Sequence, residues 1–384
     1  MVKPSPTLAV TAKAAQLRAA GHDIIGLGAG EPDFDTPEHI KAAAVKAIAD
    51  GQTRYTAVDG TAELKQAVID KFQRDNGLSY TPQQILISCG GKQSFFNLAL
   101  ALLNKGDEVI IPAPYWVSYP DMVLIAEGVP VIIKTSLENR FKITAQQLAA
   151  AITDKTRLVV LNSPSNPSGV AYSSSELQAL ADVLKKHPGL MIATDDMYEH
   201  ILWSEEPFSN ILMVCPELYD RTIVLNGVSK AYAMTGWRIG YAGGPQWLMQ
   251  NMKKIQSQST SNPCSIAQAA ATEALNGPQD CVQDMLTVFK RRHDYVINRL
   301  QQLPSVRAIA GDGTFYAFAD FSQAIHDLGL TTDTELAALL LEKGVALVPG
   351  SAFGCEGCLR LSFATSDEAL EKALDRLQAT LSGR

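Results

Sequence analysis

The sequence predicts an α/β protein in which a mostly parallel sheet is covered by helices, joined to a smaller α/β domain. Two observations support this fold class. From Ile85 onward, short apolar runs alternate with amphipathic segments of helical length, such as Lys92 to Leu103 and Ser175 to Lys186, and this alternation is typical of parallel sheets. The chain has 384 residues, of which 46% are hydrophobic, so it can bury the cores of two domains.

The first part of the chain is predicted to contain a loop and two helices. The glycine-rich run from Gly26 to Phe34 favours a loop whose backbone amides could face an anion. A helix is predicted to begin at Pro37 and to end before Gly51. Its apolar face comprises Ile40, Ala44 and Ile48. A second helix is predicted between Thr61 and Gly77.

Six strands are predicted in the central part of the chain. They are Ile85 to Cys89, Glu108 to Ile111, Val129 to Ile133, Arg157 to Leu161, Leu190 to Thr194 and Thr222 to Leu225. Ligands of mostly parallel sheets bind beyond the carboxyl ends of the strands. The residues that directly follow these strands are therefore the candidate site.

Three of these strand ends carry side chains or amides that suit a ligand. Gly91 and Lys92, after the first strand, belong to a glycine turn that opens a helix and offers free amides to a phosphate. The proline-containing loop after the fourth strand carries Asn166. After the fifth strand, Asp195 could face a protonated ring nitrogen and Tyr198 could bind a phenolic oxygen. Singly, these features also fit an ordinary helix start, capping or solvation.

The sixth strand leads into the run from Leu225 to Gly244, whose single lysine is Lys230. Apolar and small neighbours would lower the pKa of this amine and make it a nucleophile suited to forming an imine with a carbonyl. Arg238 follows in the same run and could bind a phosphate bidentately. Taken alone, the run also fits an ordinary strand and turn with a surface lysine.

The C-terminal part is predicted to form the second, smaller domain. Its strands are Val306 to Ala310, Phe315 to Phe318, Val345 to Val348 and Cys358 to Phe363, and its helices are Thr334 to Lys343 and Ser366 to Leu381. Long helical patterns, Gln246 to Ser259 and Cys281 to Leu303, precede it. Within the last strand Arg360 could pair with a protein carboxylate, or with a substrate carboxylate in a cleft between the domains.

The composition of the chain argues against nucleic acids and membranes as binding partners. A net charge of -7 without long charged runs argues against nucleic-acid binding, and no apolar run is long enough for a membrane span. A cytoplasmic enzyme fits best. The six cysteines are scattered, so reduced thiols are expected. Cys355 and Cys358 form a C-x-x-C pair, but no second pair or histidine spacing accompanies it, so incidental thiols and no metal site are predicted.

An imine-forming lysine, a phosphate-binding turn, an arginine, an acid for a ring nitrogen and a tyrosine for a ring hydroxyl together describe a pyridoxal phosphate site. A site for phosphate alone or for NAD would leave Lys230 and Asp195 unexplained. The sequence also resembles the fold-type I, class I aminotransferases, above all the bacterial and plastid aspartate aminotransferase branch that includes aspartate/prephenate aminotransferases. The resemblance extends over essentially the whole chain. Its motifs are Gly28 to Pro37, Gly90 to Gln93, Pro114 to Pro120, Asn162 to Gly169, Asp195 to His200 and Ser229 to Tyr241.

The resemblance implies pyridoxal phosphate as the cofactor and gives each residue a role. Lys230 would bond covalently to the cofactor and move the α-proton of the substrate. Asp195 would pair with the ring nitrogen, and Asn166 and Tyr198 would hold the phenolic oxygen. Trp116 would stack on the ring.

The resemblance also implies the phosphate and substrate contacts. Gly91, Lys92 and Arg238 would hold the phosphate, with Tyr55 reaching it from the partner subunit of a homodimer. Arg360, the amide of Gly30, Trp116 and Asn166 would bind the substrate. Lys92 and Thr7 are associated in this branch with the distal carboxylate of dicarboxylic substrates. Asn226 stands where many relatives have a phosphate-contacting serine, and Met197 replaces a commoner isoleucine.

The expected activity is transamination between L-aspartate and 2-oxoglutarate. The alternatives are an aminotransferase for prephenate or aromatic oxo acids, a pyridoxal phosphate C–S β-lyase, and a non-catalytic cofactor-binding regulator. The expected domains are an N-terminal segment with part of the small domain (1–45), a large cofactor-binding domain (46–285) and a small C-terminal domain (286–384).

Overall fold

The structure is a computed structural model that describes Val2, Pro4 and residues 6–383. Within these residues the helices are α1 (Pro6–Ala19), α2 (Glu38–Ala49), α3 (Ala62–Asn76), α4 (Gly91–Leu102), α5 (Tyr119–Ile125), α6 (Ala145–Ala151), α7 (Ser174–Leu184), α8 (Ile211–Val214), α9 (Gln246–Ser257), α10 (Ser265–Asn276), α11 (Asp280–Gln301), α12 (Ser322–Asp327), α13 (Asp333–Glu342) and α14 (Asp367–Leu381). The strands are β1 (Ile25–Gly26), β2 (Ile85–Ser88), β3 (Glu108–Pro112), β4 (Val129–Ile133), β5 (Thr156–Asn162), β6 (Met191–Asp195), β7 (Thr222–Gly227), β8 (Gly240–Gly243), β9 (Arg307–Ala308), β10 (Tyr316–Asp320), β11 (Val345–Ala346), β12 (Val348–Pro349) and β13 (Cys358–Ser362).

A seven-stranded sheet in the order β2-β8-β7-β6-β5-β3-β4 forms the centre of the larger domain. Strands β3 to β7 pair in parallel, whereas β8 runs antiparallel to both of its neighbours, β2 and β7. The prediction of a mostly parallel sheet is confirmed, and all six predicted strands are present. Strand β8 was missed because its sequence, Gly-Tyr-Ala-Gly, has no apolar alternation.

Helices bury both faces of this sheet, which explains why its strands are continuous apolar runs. Successive side chains of a strand point to opposite faces. Thus Val159 and Ile192 pack with the cluster under α2, α3, α7 and α10, and Val160 and Ala193 pack with the cluster under α4, α5 and α9.

Helix α2 buries a different stripe from the predicted one. Ile40 and Ala44 are buried, but Ala47 completes the buried face and Ile48 is 55% exposed. The spacing of 40, 44 and 47 follows the helical period and turns residue 48 away from the core. The assignment of Ile48 to the apolar face was therefore wrong for the single chain.

The parallel pairing places the ends of three strands side by side at one edge of the sheet. Asn162 at the end of β5 lies opposite Asp195 at the end of β6, and Asp195 lies opposite Leu225 in β7. The segments that follow these strands therefore open onto the same edge, as the sequence predicted.

The smaller domain is built on a four-stranded antiparallel sheet in the order β12-β13-β10-β9. The predicted strand Val345 to Val348 is divided between two sheets, because β11 pairs in parallel with β1 and β12 pairs with β13. The pairing of β1 with β11 joins the N-terminal segment to the C-terminal part of the chain. The boundaries at 45/46 and 285/286 stay a prediction.

Among the described residues, every helix is too short or too polar to cross a membrane.

Candidate active site

A cavity of about 410 Å³ opens at the carboxyl edge of the large sheet. Its lining contains all but one of the predicted site residues, namely Thr7, Gly30, Gly91, Lys92, Trp116, Asn166, Asp195, Tyr198, Lys230, Arg238 and Arg360. They come from both domains and from helix α1. Groups far apart in the sequence thus converge on one cavity that can hold a small molecule.

Lys230 lies just beyond β7, where the chain leaves the sheet. Its Nζ donates a hydrogen bond of 2.5 Å to the carbonyl oxygen of Gly30 and lies 5.9 Å from the centre of the Phe315 ring. Burial, helped by the positive charge of Arg360, lowers the pKa of Lys230 to about 8. About a tenth of this amine is therefore neutral and nucleophilic at pH 7, far more than for a lysine with the usual pKa.

Asp195 is the last residue of β6, and its carboxylate is fixed on both oxygens. Oδ2 accepts a hydrogen bond from the hydroxyl of Tyr119, and Oδ1 accepts one of 3.3 Å from the backbone amide of Met197. Burial raises the pKa of Asp195, and these two bonds work against that rise. Tyr119 lies inside the motif Pro114 to Pro120, but nothing in the sequence indicates that its side chain reaches Asp195.

Arg360 lies in the middle of β13 and is only 2% exposed. Its two terminal nitrogens donate hydrogen bonds of 2.8 Å to Asn166 Oδ1 and to the carbonyl of Gly28, while Nε has no partner. Among the described residues no carboxylate forms an ion pair with it, so the alternative of a protein carboxylate finds no support there. A buried guanidinium without a counter-ion is a site for an anionic ligand.

The ring of Tyr316 packs against this guanidinium, and its centre lies 4.3 Å from the Arg360 Cζ. The Tyr316 hydroxyl is 3.0 Å from that of Tyr198, and burial raises the pKa of Tyr198 well above its usual value. Tyr316 lines the cavity but was not identified from the sequence. Because Tyr316 lies in a strand rich in phenylalanine, its sequence context does not distinguish it from a core residue.

An anion-binding corner forms where α4 begins. Gly90 has φ of +86° and is followed by the free amides at the N-terminus of α4. The Arg238 guanidinium packs so closely over Gly90 that a Cβ there would collide with it. Arg238 is held by its Nη1, which donates a hydrogen bond of 2.8 Å to the carbonyl of Thr235. The dipole end and the cation together suit a phosphate.

Lys92 also projects into this cavity, above the face of Trp116. The distance from its Nζ to the centre of the indole ring is 5.2 Å. Burial and the neighbouring Arg238 lower the pKa of Lys92. The cavity therefore contains a second amine, distinct from Lys230, near its positively charged end.

Thr7, Tyr55 and Asn226 differ in their position relative to the cavity. Thr7, in α1, lines the cavity. Tyr55 is 93% exposed and lies outside the cavity lining, so its action from a partner subunit stays a prediction. The Asn226 side chain points away from the cavity, since it donates a hydrogen bond of 2.7 Å to Glu199.

Three side chains of the kinds that bind metal ions lie together near this site, but a lysine of the protein already supplies the positive charge that balances them. The ligand atoms of Asp75, Glu199 and His200 lie within 4.8 Å of one another. The ammonium group of the fully buried Lys71 pairs with Glu199 and lies 3.8 Å from Asp75. We therefore assign no metal to this cluster.

Comparison with known proteins identifies the family of this chain. The family model for class I and II aminotransferases matches residues 22–377. The chain belongs to this family, whose members use pyridoxal phosphate, so the predicted class and cofactor are confirmed.

Individual relatives match over nearly their whole length. The aspartate/prephenate aminotransferase of Nitrosomonas europaea is 61% identical over 99% of this chain and 98% of the relative. The crystal structure of the aspartate aminotransferase from Rhizobium meliloti superposes with a TM-score of 0.95 at 49% identity, covering 99% of this chain and 96% of that one. The Thermus thermophilus aspartate aminotransferase with maleate gives a TM-score of 0.92 at 44% identity, covering 98% of this chain and 97% of that one.

The residues of the cavity fit pyridoxal phosphate. An amine of lowered pKa suits its aldehyde, and the corner formed by Gly90, Gly91 and Arg238 suits its phosphate. Asp195 offers a carboxylate to a ring nitrogen, and the unpartnered Nε of Arg360 remains available for a second anionic group.

Proposed function

We propose that this chain is an aminotransferase that uses pyridoxal phosphate to move the amino group of L-aspartate to 2-oxoglutarate, giving oxaloacetate and L-glutamate. The observation that carries the proposal is the presence, in one cavity, of the Lys230 amine, an anion-binding corner at Arg238 and a buried, uncompensated Arg360. The choice of aspartate is supported by the relatives that bear its name at 50–61% identity.

The cavity offers groups that would match each part of the cofactor. Lys230 would bond to its aldehyde carbon, and the amides of Gly91 and Lys92 with Arg238 would bind its phosphate. Asp195 would face its ring nitrogen and Trp116 would lie against its ring. Asn166 and Tyr198 would hold its phenolic oxygen.

Bound in this way, the cofactor supplies an electron-withdrawing ring that accepts the electrons left when the amino acid loses its α-proton. Lys230 takes that proton and returns it, a role that a pKa of about 8 suits at neutral pH. The negative charge of Asp195, fixed by Tyr119 and the Met197 amide, favours a protonated ring nitrogen.

Substrate recognition rests on two positively charged positions. Arg360, together with the amide of Gly30, binds the α-carboxylate. Lys92 and Thr7 bind the distal carboxylate of aspartate, because they line the other part of the same cavity. The pairing of two cationic positions favours a dicarboxylic substrate over an apolar one.

Two copies of the chain complete the site. Beside the main cavity lies a second one of about 470 Å³, which shares Lys92 and Arg238 with it and is lined in part by Phe96 and Ile125. Tyr55 is almost fully exposed in the single chain. In a homodimer, the partner chain covers these surfaces and its Tyr55 reaches the phosphate.

Mixing two variants, each expected to have impaired activity, tests the shared site. A Lys230→Ala chain and a Tyr55→Ala chain, unfolded together and refolded, should give hybrid dimers in which one site has both native residues. Recovery of activity above that of either variant alone supports the shared site. A monomer by sedimentation, or no recovery in a verified hybrid dimer, contradicts it.

A substrate panel tests the proposed reaction. L-Aspartate with 2-oxoglutarate should give oxaloacetate and glutamate with a higher kcat/KM than donors lacking a distal carboxylate. Prephenate is a second candidate acceptor, because the relative at 61% identity is named for it. Pyruvate release from a cysteine thioether without amino transfer would instead indicate the β-lyase.

A further inference from the structure

The C-x-x-C pair, which the sequence analysis treated as incidental, is brought together by the fold. The sulfur atoms of Cys355 and Cys358 lie 3.6 Å apart. The two cysteines are at the ends of a turn whose central residues are Glu356 and Gly357, and Gly357 has φ of +81°. Such a turn brings the Cα atoms of its end residues within about 7 Å, which overlaps the range of disulfides.

The surroundings of the pair give the two thiols different reactivity. Cys355 is partly exposed, whereas Cys358 is only 4% exposed. The contact with Cys358 lowers the pKa of the Cys355 thiol, and the same contact with burial raises that of Cys358 far above its usual value. Cys355 is thus the accessible and more acidic thiol, the combination that marks an attacking cysteine.

A structural metal does not explain the pair. Among the described residues, the only group of three or more histidine, cysteine or acidic side chains close enough to hold an ion is Asp75, Glu199 and His200. A zinc site needs about four ligands, and two sulfurs alone do not provide them.

We propose that Cys355 and Cys358 form a redox-active dithiol that closes to an intrachain disulfide by exchange with a low-molecular-weight disulfide such as oxidised glutathione. The Cys355 thiolate attacks one glutathione sulfur, forms a mixed disulfide and releases one glutathione. The Cys358 thiol then loses its proton to solvent, attacks the Cys355 sulfur and releases the second glutathione. The protein gives up two electrons and two protons, and oxidised glutathione is reduced to two thiols.

The pair is connected to the active-site cavity through two residues that line it, Arg360 and Trp116. Cys358 begins β13, the strand that carries Arg360. Both cysteines also belong to the apolar cluster around Phe353, against which Trp116 packs. The proposal concerns the thiols themselves and stands independently of the substrate.

Peptide mapping in glutathione buffers tests the proposal on the intact, cofactor-loaded protein. Trypsin releases residues 344–360 as one peptide that contains Cys355 and Cys358 and no other cysteine. As the ratio of oxidised to reduced glutathione rises, this peptide should change from two alkylated thiols to none, with the loss of two hydrogen atoms. The peptide 187–221, which contains only the buried Cys215, is the internal control and should stay alkylated.

The same titration in guanidinium chloride isolates the contribution of the fold. The native pair should close at a glutathione ratio at least about tenfold more reducing than the unfolded pair, because the turn holds the sulfurs together. In the Cys358→Ser variant, Cys355 should stop at the mixed disulfide, and in Cys355→Ser, Cys358 should remain unmodified. Two alkylated thiols throughout, a native midpoint no more reducing than the unfolded one, or modification of Cys358 alone would each overturn the proposal.

Discussion

Two buried polar regions lie close together in this protein, and they differ in whether their buried charges have partners within the protein. In the network around Glu199, Lys71 pairs with the Glu199 carboxylate, which also accepts hydrogen bonds from Asn76 and Asn226 at 2.8 and 2.7 Å. In the active-site cavity, Arg360 has no carboxylate partner among the described residues and leaves Nε free. The Glu199 carboxylate is satisfied by side chains of the protein, whereas Arg360 is incomplete without a ligand.

The comparison shows that burial of charge does not by itself identify a site. Lys71 is more buried than Lys230 and lies among more acidic groups, yet its charge is used within the protein. Lys230 has a backbone carbonyl as its hydrogen-bond partner and faces an open cavity. Unmatched charge that faces a cavity is therefore the better indicator of function.

The largest expected effect separates the two lysines by activity. Lys230→Ala should lower turnover by at least about 10⁴-fold, because it removes both the bonding amine and the proton carrier. Its thermal unfolding without cofactor should be close to that of the unmodified chain. Steady-state kinetics and calorimetry measure the two quantities, and a fully active variant would be incompatible with the assigned role.

For Lys71, substitution is expected to lower the stability of the fold. Lys71→Ala leaves Glu199 buried without its cation and should lower the free energy of unfolding by about 3–5 kcal/mol. The control is Lys290→Ala, which breaks an exposed pair with Asp294 and should change stability by less than about 1 kcal/mol. Equal effects in denaturant titrations would remove the distinction between a satisfied network and a surface pair.

A smaller effect distinguishes two buried arginines. Arg360→Lys keeps the charge but loses bidentate binding and should raise KM for aspartate by roughly 10–100-fold with a smaller change in kcat. Arg292 is the matched control, because Asp33 and Asp367 already pair with it at 2.8 and 3.3 Å. Arg292→Lys should alter stability more than KM. The opposite pattern would return Arg360 to a structural role.

The mildest test uses pH. In the protein without cofactor, acylation of Lys230 should rise with pH and level off above about pH 8, since its lowered pKa leaves the amine neutral there. Acylation of the partly exposed Lys41, whose pKa is raised by Glu38, should still be rising at that pH. Peptide mapping of the two sites gives both curves, and coincident curves would rule out the desolvated amine.

Much of the fold could be predicted because its strands are uninterrupted apolar runs. The site residues at strand ends, such as Asp195 and Lys230, followed from the geometry of parallel sheets. The resemblance then gave Arg360 and Gly30, which come from distant parts of the chain, their roles in substrate binding. Helix α10 was missed because its alanine-rich sequence has a weak apolar stripe.

Most of the remaining features depend on contacts between side chains that lie far apart in the sequence. Tyr119 and Tyr316 act through partners 76 and 118 residues away, Asp195 and Tyr198. Asn226 stands where many relatives have a phosphate-contacting serine, but its side chain donates a hydrogen bond to Glu199 in the buried network. The sequence likewise does not show that the turn between Cys355 and Cys358 brings their sulfur atoms to 3.6 Å.

The most direct test of the central claim is to locate the covalent bond between the protein and its cofactor. Borohydride reduction of the loaded protein, followed by trypsin and mass spectrometry, should place a pyridoxyl group on Lys230, within a peptide of residues 222–238 left uncleaved at that lysine. Lys92, the other amine in the cavity, should remain unlabelled. Labelling at Lys92 or at surface lysines, with Lys230 unmodified, would contradict the account.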